Sequence, residues 1–243
     1  MPPGTTGTTG TQMDGVPWRA VKRFFPGRHV GTFVLALPDH DLVYVKNAKA
    51  GCSTILAWLD HLHTGSPPPP GNIHQQHRLP RLREVGRDRL LEMLGGSAYR
   101  FSFVRNPRTR LESTYWNKVV PDHKERPRVL GLLGILGAED RTVGFEEFLD
   151  AVEHQVSSVD CDPHWRPQHL NLLHPVVRFN RIGRLESFAA DLDAIQQEAG
   201  LPRVPAPQRN VSRRADTSVF DGRPDLVQRV ETIYATDYEL YGY

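Results

Sequence analysis

The order of apolar and polar positions divides the chain into short apolar runs and longer stretches of helical period. TFVLALP (32–38) and LVYVKN (42–47) read as two β-runs around the polar turn Asp39-His40-Asp41. A glycine-containing loop over 48–53 comes next, and ILAWLDHLH (55–63) has the apolar spacing of a helix packed on a sheet. GSPPPPGN (65–72) predicts a surface loop, because proline lacks the amide donor and fixes φ. A helix is predicted near 86–94, then a buried strand over YRFSFV (99–104) that stops at Arg105-Asn106-Pro107. Pro107 is placed to open a helix running to about Asn117.

Residues 118–142 alternate charged, proline and glycine-rich pieces, which predicts an insertion or lid. GFEEFLDAVEH (144–154) has a helical pattern, followed by the apolar run VVRFNRIG (176–183), a helix over LESFAADLDAIQQEA (185–199) and a last helix over about 224–236. Strands alternating with helices predict an α/β fold, a parallel sheet with helices on both faces. The Gly/Thr/Pro-rich start predicts a disordered tail over residues 1–17, leaving 18–243 as one domain.

Composition narrows the function classes. With 243 residues, 39% hydrophobic and only two cysteines, the chain is no disordered polymer, repeat array or disulfide scaffold. A net charge of +2, from 30 basic and 28 acidic residues, argues against nucleic-acid or membrane-surface binding over a wide face. Any anion site must therefore be local. Lysine occurs only at Lys22, Lys46, Lys49, Lys118 and Lys124, the usage of a GC-rich genome. No apolar run nears the roughly 20 residues of a membrane span, and the first residues lack a signal-peptide pattern. A soluble, cytoplasmic protein is expected, with Cys52 and Cys161 as free thiols.

Two segments carry chemistry. In KNAKAGCSTI (46–55), a small-residue loop enters a helix N-terminus, so the amides of Ala50, Gly51 and Cys52 form an anion cradle. The Lys49 ammonium and the hydroxyls of Ser53 and Thr54 add charge-assisted bonds. The lysine precedes the glycine, unlike the loop of nucleoside triphosphatases. Taken alone, the same stretch also reads as a tight strand-to-helix turn. In FSFVRNPRTRLESTYWNK (101–118), Arg105 closes a strand and Ser113 lies about two helical turns on. Both would reach one anion at the carboxyl edge of the sheet, although a surface arginine and a helix-interior serine read equally from the residues.

Together these segments resemble sulfotransferase family 2, the chondroitin, dermatan and HNK-1 carbohydrate sulfotransferases and their bacterial relatives. KNAKAGCSTI is similar to their 5′-phosphosulfate loop, and FSFVRNPRTRLESTYWNK to their 3′-phosphate strand and helix. Further likenesses are DPHWRPQ (162–168), FNRIGRLESF (179–188), Arg209-Asn210-Val211-Ser212 and the closing IYATDYELYGY (233–243). Six segments in the family's order, over about residues 42–243, make the likeness specific.

The resemblance implies a P-loop NTPase-like fold and sulfuryl transfer from 3′-phosphoadenosine 5′-phosphosulfate (PAPS). The acceptor would be a hydroxyl of a carbohydrate, lipid or secondary metabolite. It assigns Lys49, Ala50, Gly51, Cys52, Ser53 and Thr54 to the 5′-phosphosulfate and Arg105 and Ser113 to the 3′-phosphate. Arg209, Asn210 and Ser212 would complete the nucleotide pocket. One departure is Ala48, where the family has proline before the lysine.

The transferring sulfuryl group carries less negative charge than a phosphoryl group, so a divalent metal is not required, and Lys49 would stabilise the leaving oxygen. A hydroxyl acceptor needs a base, and histidine titrates nearest pH 7. His74, after the apolar Ile73, is the favoured base and His77 the alternative, with Glu112 a further possibility. Cys161, His164, His169 and His174 match no zinc-finger spacing, and DPHWRPQ reads as a packing and acceptor-side element with Trp165 buried. Arg184 and Glu186 read as a structural charge pair. Two rival functions remain at this point: a nucleotide-binding scaffold without turnover, and a P-loop kinase. The kinase needs a lysine where Cys52 stands. The 64–80 and 118–142 segments, with Trp116, Lys118, His123 and Lys124, are the expected acceptor contacts, and the oligomeric state is left open.

Overall fold

The computed structural model describes residues 15–121, 125–136, 141–207 and 217–243. In chain order they form α1 (Trp18–Lys22), β1 (Val34–Leu37), β2 (Leu42–Val45), α2 (Cys52–Thr64), α3 (Ile73–Gln76), α4 (Leu82–Val85), α5 (Arg87–Glu92) and β3 (Tyr99–Val104). Then come α6 (Pro107–Thr114), α7 (Glu125–Leu132), α8 (Phe145–Gln155), α9 (Gln168–Asn171), β4 (Arg181–Arg184), α10 (Phe188–Glu198), α11 (Pro224–Ile233) and α12 (Ala235–Tyr241).

The four described strands make one sheet in the order β1-β2-β3-β4. β2 pairs parallel with β3 (Leu42↔Tyr99), and β3 with β4 (Phe101↔Arg181). The expected parallel arrangement needs one correction: β1 runs antiparallel to β2, with Val34 opposite Val45 and Leu37 opposite Leu42. A turn over 38–41 is too short for a crossover and can only reverse the chain. It closes on Asp41 at φ 44.

Every residue of β1 and β2 is buried, because alternate side chains enter different cores. Leu35, Leu37, Leu42 and Tyr44 pack with Ile55, Trp58 and Leu59 of α2 and with Leu192 and Ile195 of α10. Val34, Ala36, Val43 and Val45 face Phe24, Phe25, Leu90, Met93 and the 172–177 segment. Helices therefore cover both faces of the sheet. A third core joins α6, α7, α8 and α11 through Leu111, Leu130, Phe148, Trp165 and Leu226. Part of the expected 118–142 lid is thus a packed helix, with Val129 at 0% exposure.

The closest approach in the sheet explains a glycine in β4. A Cβ on Gly183 would stand 2.6 Å from the Phe103 ring, so only glycine lets that ring lie over β4 on the face that carries Phe188. No helix among the described residues is long and apolar enough to cross a membrane.

Candidate active site

Parallel pairing sets the site. Because β2 and β3 are adjacent and run the same way, the loops after them emerge side by side at the carboxyl edge of the sheet. The first loop leads from Lys46 to Gly51, with Lys49 at φ 66 and Gly51 at φ 79. Gly51 meets two demands: the left-handed backbone, and the lack of room for a Cβ, which would lie 3.1 Å from Leu185 and 3.3 Å from Phe188. α2 then starts at Cys52, three residues before the apolar pattern predicts, with no side chain capping its N-terminus. Its first amides and the positive end of its dipole lie at the carboxyl edge of the sheet, beside the first loop.

Lys49 is half-buried in this loop. Burial pushes its pKa down to about 8; Cys52 acts against that shift, and the cations Arg105, Lys118 and Arg110 add to it. Arg105, the first residue after β3, reaches the same loop: its Nη1 donates to the Lys49 carbonyl at 3.4 Å, and its Nε to Thr109 Oγ1 at 3.0 Å. Ser113 faces inward from α6, and its Oγ is buried without a hydrogen-bond partner. A buried hydroxyl without a partner is costly, and a ligand oxygen would relieve it. Excess positive charge, uncapped amides and this orphaned hydroxyl all suit a polyanion. Ala48, where proline was expected, is held by other means: Arg110 Nε donates to its carbonyl at 3.0 Å.

His74 lies on α3, opposite the loop. Its Nε2 is 2.9 Å from Ser53 Oγ and 3.9 Å from Cys52 Sγ. The residue as a whole is exposed, yet its ring edge faces the loop. Partial dehydration there, and after it Lys46, His164, His77 and Lys118, push its pKa down to about 4. His77 is displaced from the loop: burial and Lys46 lower its pKa, and its Nδ1 is buried without a partner. Of the two histidines, His74 is the one hydrogen-bonded to the loop.

Several expectations are revised here. Glu112 is engaged elsewhere, accepting from Ser218 Oγ at 2.8 Å and Val219 N at 2.9 Å. Arg184 and Glu186 do not pair with each other. Arg184 donates to the carbonyls of Tyr241 and Gly242, while Glu186 accepts from Asn106 N at 2.8 Å and from the Tyr243 hydroxyl at 3.0 Å. Arg184 ties residues 241–242 to β4, and Glu186 ties Tyr243 to the β3–α6 turn. Arg209, Asn210 and Ser212 lie outside the described residues, as do His123 and Lys124. Among the described residues no cluster of three or more His, Cys, Asp or Glu is arranged to hold a metal, and Cys52 and Cys161 are both free thiols.

The residue reading missed the roles of two groups, His164 in 162–168 and Arg110 in α6. His164 has its Nδ1 2.7 Å from Asp162 Oδ1, so a buried carboxylate orients an imidazole that lies near enough to help lower the His74 pKa. Arg110, 1% exposed, spends its guanidinium on three carbonyls, those of Ala48, Pro163 and Arg166. It ties this segment to the first loop.

Fold and site together define an α/β protein with two cation-bearing loops side by side at one sheet edge. The chain matches the model of the Sulfotransferase family, family 2, over residues 34–243. It belongs to the sulfotransferase family and carries that family's transferase domain over nearly its whole length. No curated protein and no solved structure matches it.

Proposed function

We propose that this protein transfers the sulfuryl group of PAPS to a hydroxyl of a carbohydrate, lipid or small-metabolite acceptor. The observation that carries this reading is the convergence of Lys49 and Arg105, on neighbouring loops, at the uncapped N-terminus of α2. Two cations on adjacent loops beside uncapped helix amides suit a ligand carrying more than one anionic group.

In this reading Lys49 and the α2 amides hold the phosphosulfate, while Arg105 and Ser113 hold the 3′-phosphate. The acceptor oxygen attacks sulfur in line; its bond to sulfur forms as the bond from sulfur to the bridging oxygen breaks. Charge grows on that bridging oxygen, and Lys49 is the cation on the same loop to stabilise it. The acceptor proton passes to His74, whose ring is neutral at pH 7 and therefore able to take it. The Ser53 hydroxyl, now bonded to His74, can turn to a phosphosulfate oxygen and leave Nε2 to the acceptor.

Calorimetry with PAPS, together with chromatographic detection of adenosine 3′,5′-bisphosphate released over a panel of sugar, lipid and phenolic acceptors, tests this. Binding with acceptor-dependent release is expected. Binding with no release on any acceptor would move the reading to a nucleotide-binding scaffold, and absence of binding to both PAPS and the bisphosphate would overturn it.

A further inference from the structure

The 162–168 segment holds a residue that the proposed chemistry does not yet use. Gln168 is fully buried at the start of α9, between the two loops. Its Oε1 accepts from Asn47 Nδ2 at 2.9 Å and from Arg105 N at 3.0 Å, and its Nε2 donates to the Arg105 carbonyl at 2.8 Å. One side-chain amide thus grips both sides of the Arg105 backbone and Asn47 of the first loop. Asn47 is itself fully buried and donates to the Phe103 carbonyl at 3.0 Å, so it is anchored to β3 as well. From behind, the buried Asp237 carboxylate accepts from Gln168 N at 2.6 Å and fixes where α9 begins.

We propose that Gln168 is a positioning residue, which sets the spacing between the two anion-binding loops and so the recognition of the 3′-phosphate. Every donor and acceptor needed to hold the Arg105 backbone is on this one amide, in a site where water cannot replace it. Its loss lets the Arg105 turn shift against the first loop while leaving that loop's own amides in place. The inference rests on the nucleotide reading above.

The test compares the affinities of adenosine 3′,5′-bisphosphate and adenosine 5′-monophosphate, which lacks the 3′-phosphate, by calorimetry on the full chain. The unaltered protein should prefer the bisphosphate about tenfold or more, as a charge-assisted contact implies. In Gln168→Met, near in size and without the amide, that preference should collapse towards one while monophosphate binding holds within about threefold. A merely structural role would weaken both ligands alike and keep the ratio, which overturns the proposal. Gln168→Leu can neither donate to the Arg105 carbonyl nor accept from its amide, and it should lose the preference too; if it retains it, the proposal fails. In the double variant with Arg105→Ala, Gln168→Met should add no further loss of preference, whereas an additive loss places Gln168 outside the Arg105 contact. If neither Gln168 variant folds, as read by circular dichroism and melting, the role is structural and the proposal is overturned. A lack of preference in the unaltered protein would instead refute the nucleotide reading itself.

Discussion

The charge state of Lys49 gives a sharp prediction about nucleotide binding. In the free protein its pKa is pushed down to about 8, first by burial and further by Arg105, Lys118 and Arg110. A bound polyphosphate brings negative charge to this ammonium and raises its pKa. The free state therefore loses the proton before the bound state does, and affinity is full below pH 8 and falls as pH rises above it. Each further unit should cost about tenfold, or about 1.4 kcal/mol, since at pH 9 only about one free molecule in eleven carries the charge. An unperturbed lysine, at about 10.4, would leave affinity level to about pH 10. The ligand's phosphates ionise for the last time near pH 6, so their charge does not vary over this range. Calorimetry with adenosine 3′,5′-bisphosphate from pH 7 to 10, in buffers of different ionisation enthalpy, reads both the slope and the proton taken up. Lys49→Arg does not titrate here and should flatten the profile; Cys52→Ser, which removes the thiol that acts against the shift, is the control. A level profile in the unaltered protein, or an equal slope in Lys49→Arg, would refute the reasoning.

Two further outcomes are expected from single substitutions. His74→Ala should lower the acceptor-dependent rate by about 10²-fold or more with PAPS affinity kept, as general-base catalysis implies; if His164→Ala does this instead, the base is the imidazole held by Asp162. Gly51→Ala forces a side chain into the left-handed region against Leu185, and it should cost about 1–3 kcal/mol in denaturant unfolding and weaken bisphosphate binding. Unchanged stability would show that the loop relaxes at no cost.

What the sequence showed of the fold depended on whether burial leaves a periodic trace. β3 occupies 99–104 as expected, because its aromatic and β-branched residues (Tyr99, Phe101, Phe103, Val104) form a short β-prone stretch that Arg105-Asn106-Pro107 ends. VVRFNRIG follows the same rule only in part. Its last residues enter β4, but Val177 is buried in a turn against Leu172 and Leu173, and an apolar run cannot tell such a turn from a strand. The last helix breaks at Tyr234, where the side chain turns to the Trp165 carbonyl 69 residues away, a contact with no local signal. The 125–132 stretch looked like a lid because its charges and proline mask Val129 and Leu130, the two side chains that seat it on the third core.

The site divides along the same line. Lys49, Gly51, Ser53 and Arg105, the proposed anion contacts, could be singled out because each belongs to one short segment whose spacing carries its own geometry, a loop meeting a helix or a strand end meeting a helix. Gln168 and Arg110 could not, because their function lies in partners far along the chain: Asn47 is 121 residues from Gln168, and the Ala48 carbonyl 62 from Arg110. No periodicity marks a polar residue that will be buried, and composition favours its being exposed. The clue available was the cost of burial. A glutamine at 0% exposure persists in a folded protein only when its amide is satisfied, and here the groups that satisfy it are the backbone of one loop and the Asn47 side chain of the other. The residues proposed to touch an anion and those proposed to hold the spacing of the two loops thus obey different constraints, and only the first kind is written locally.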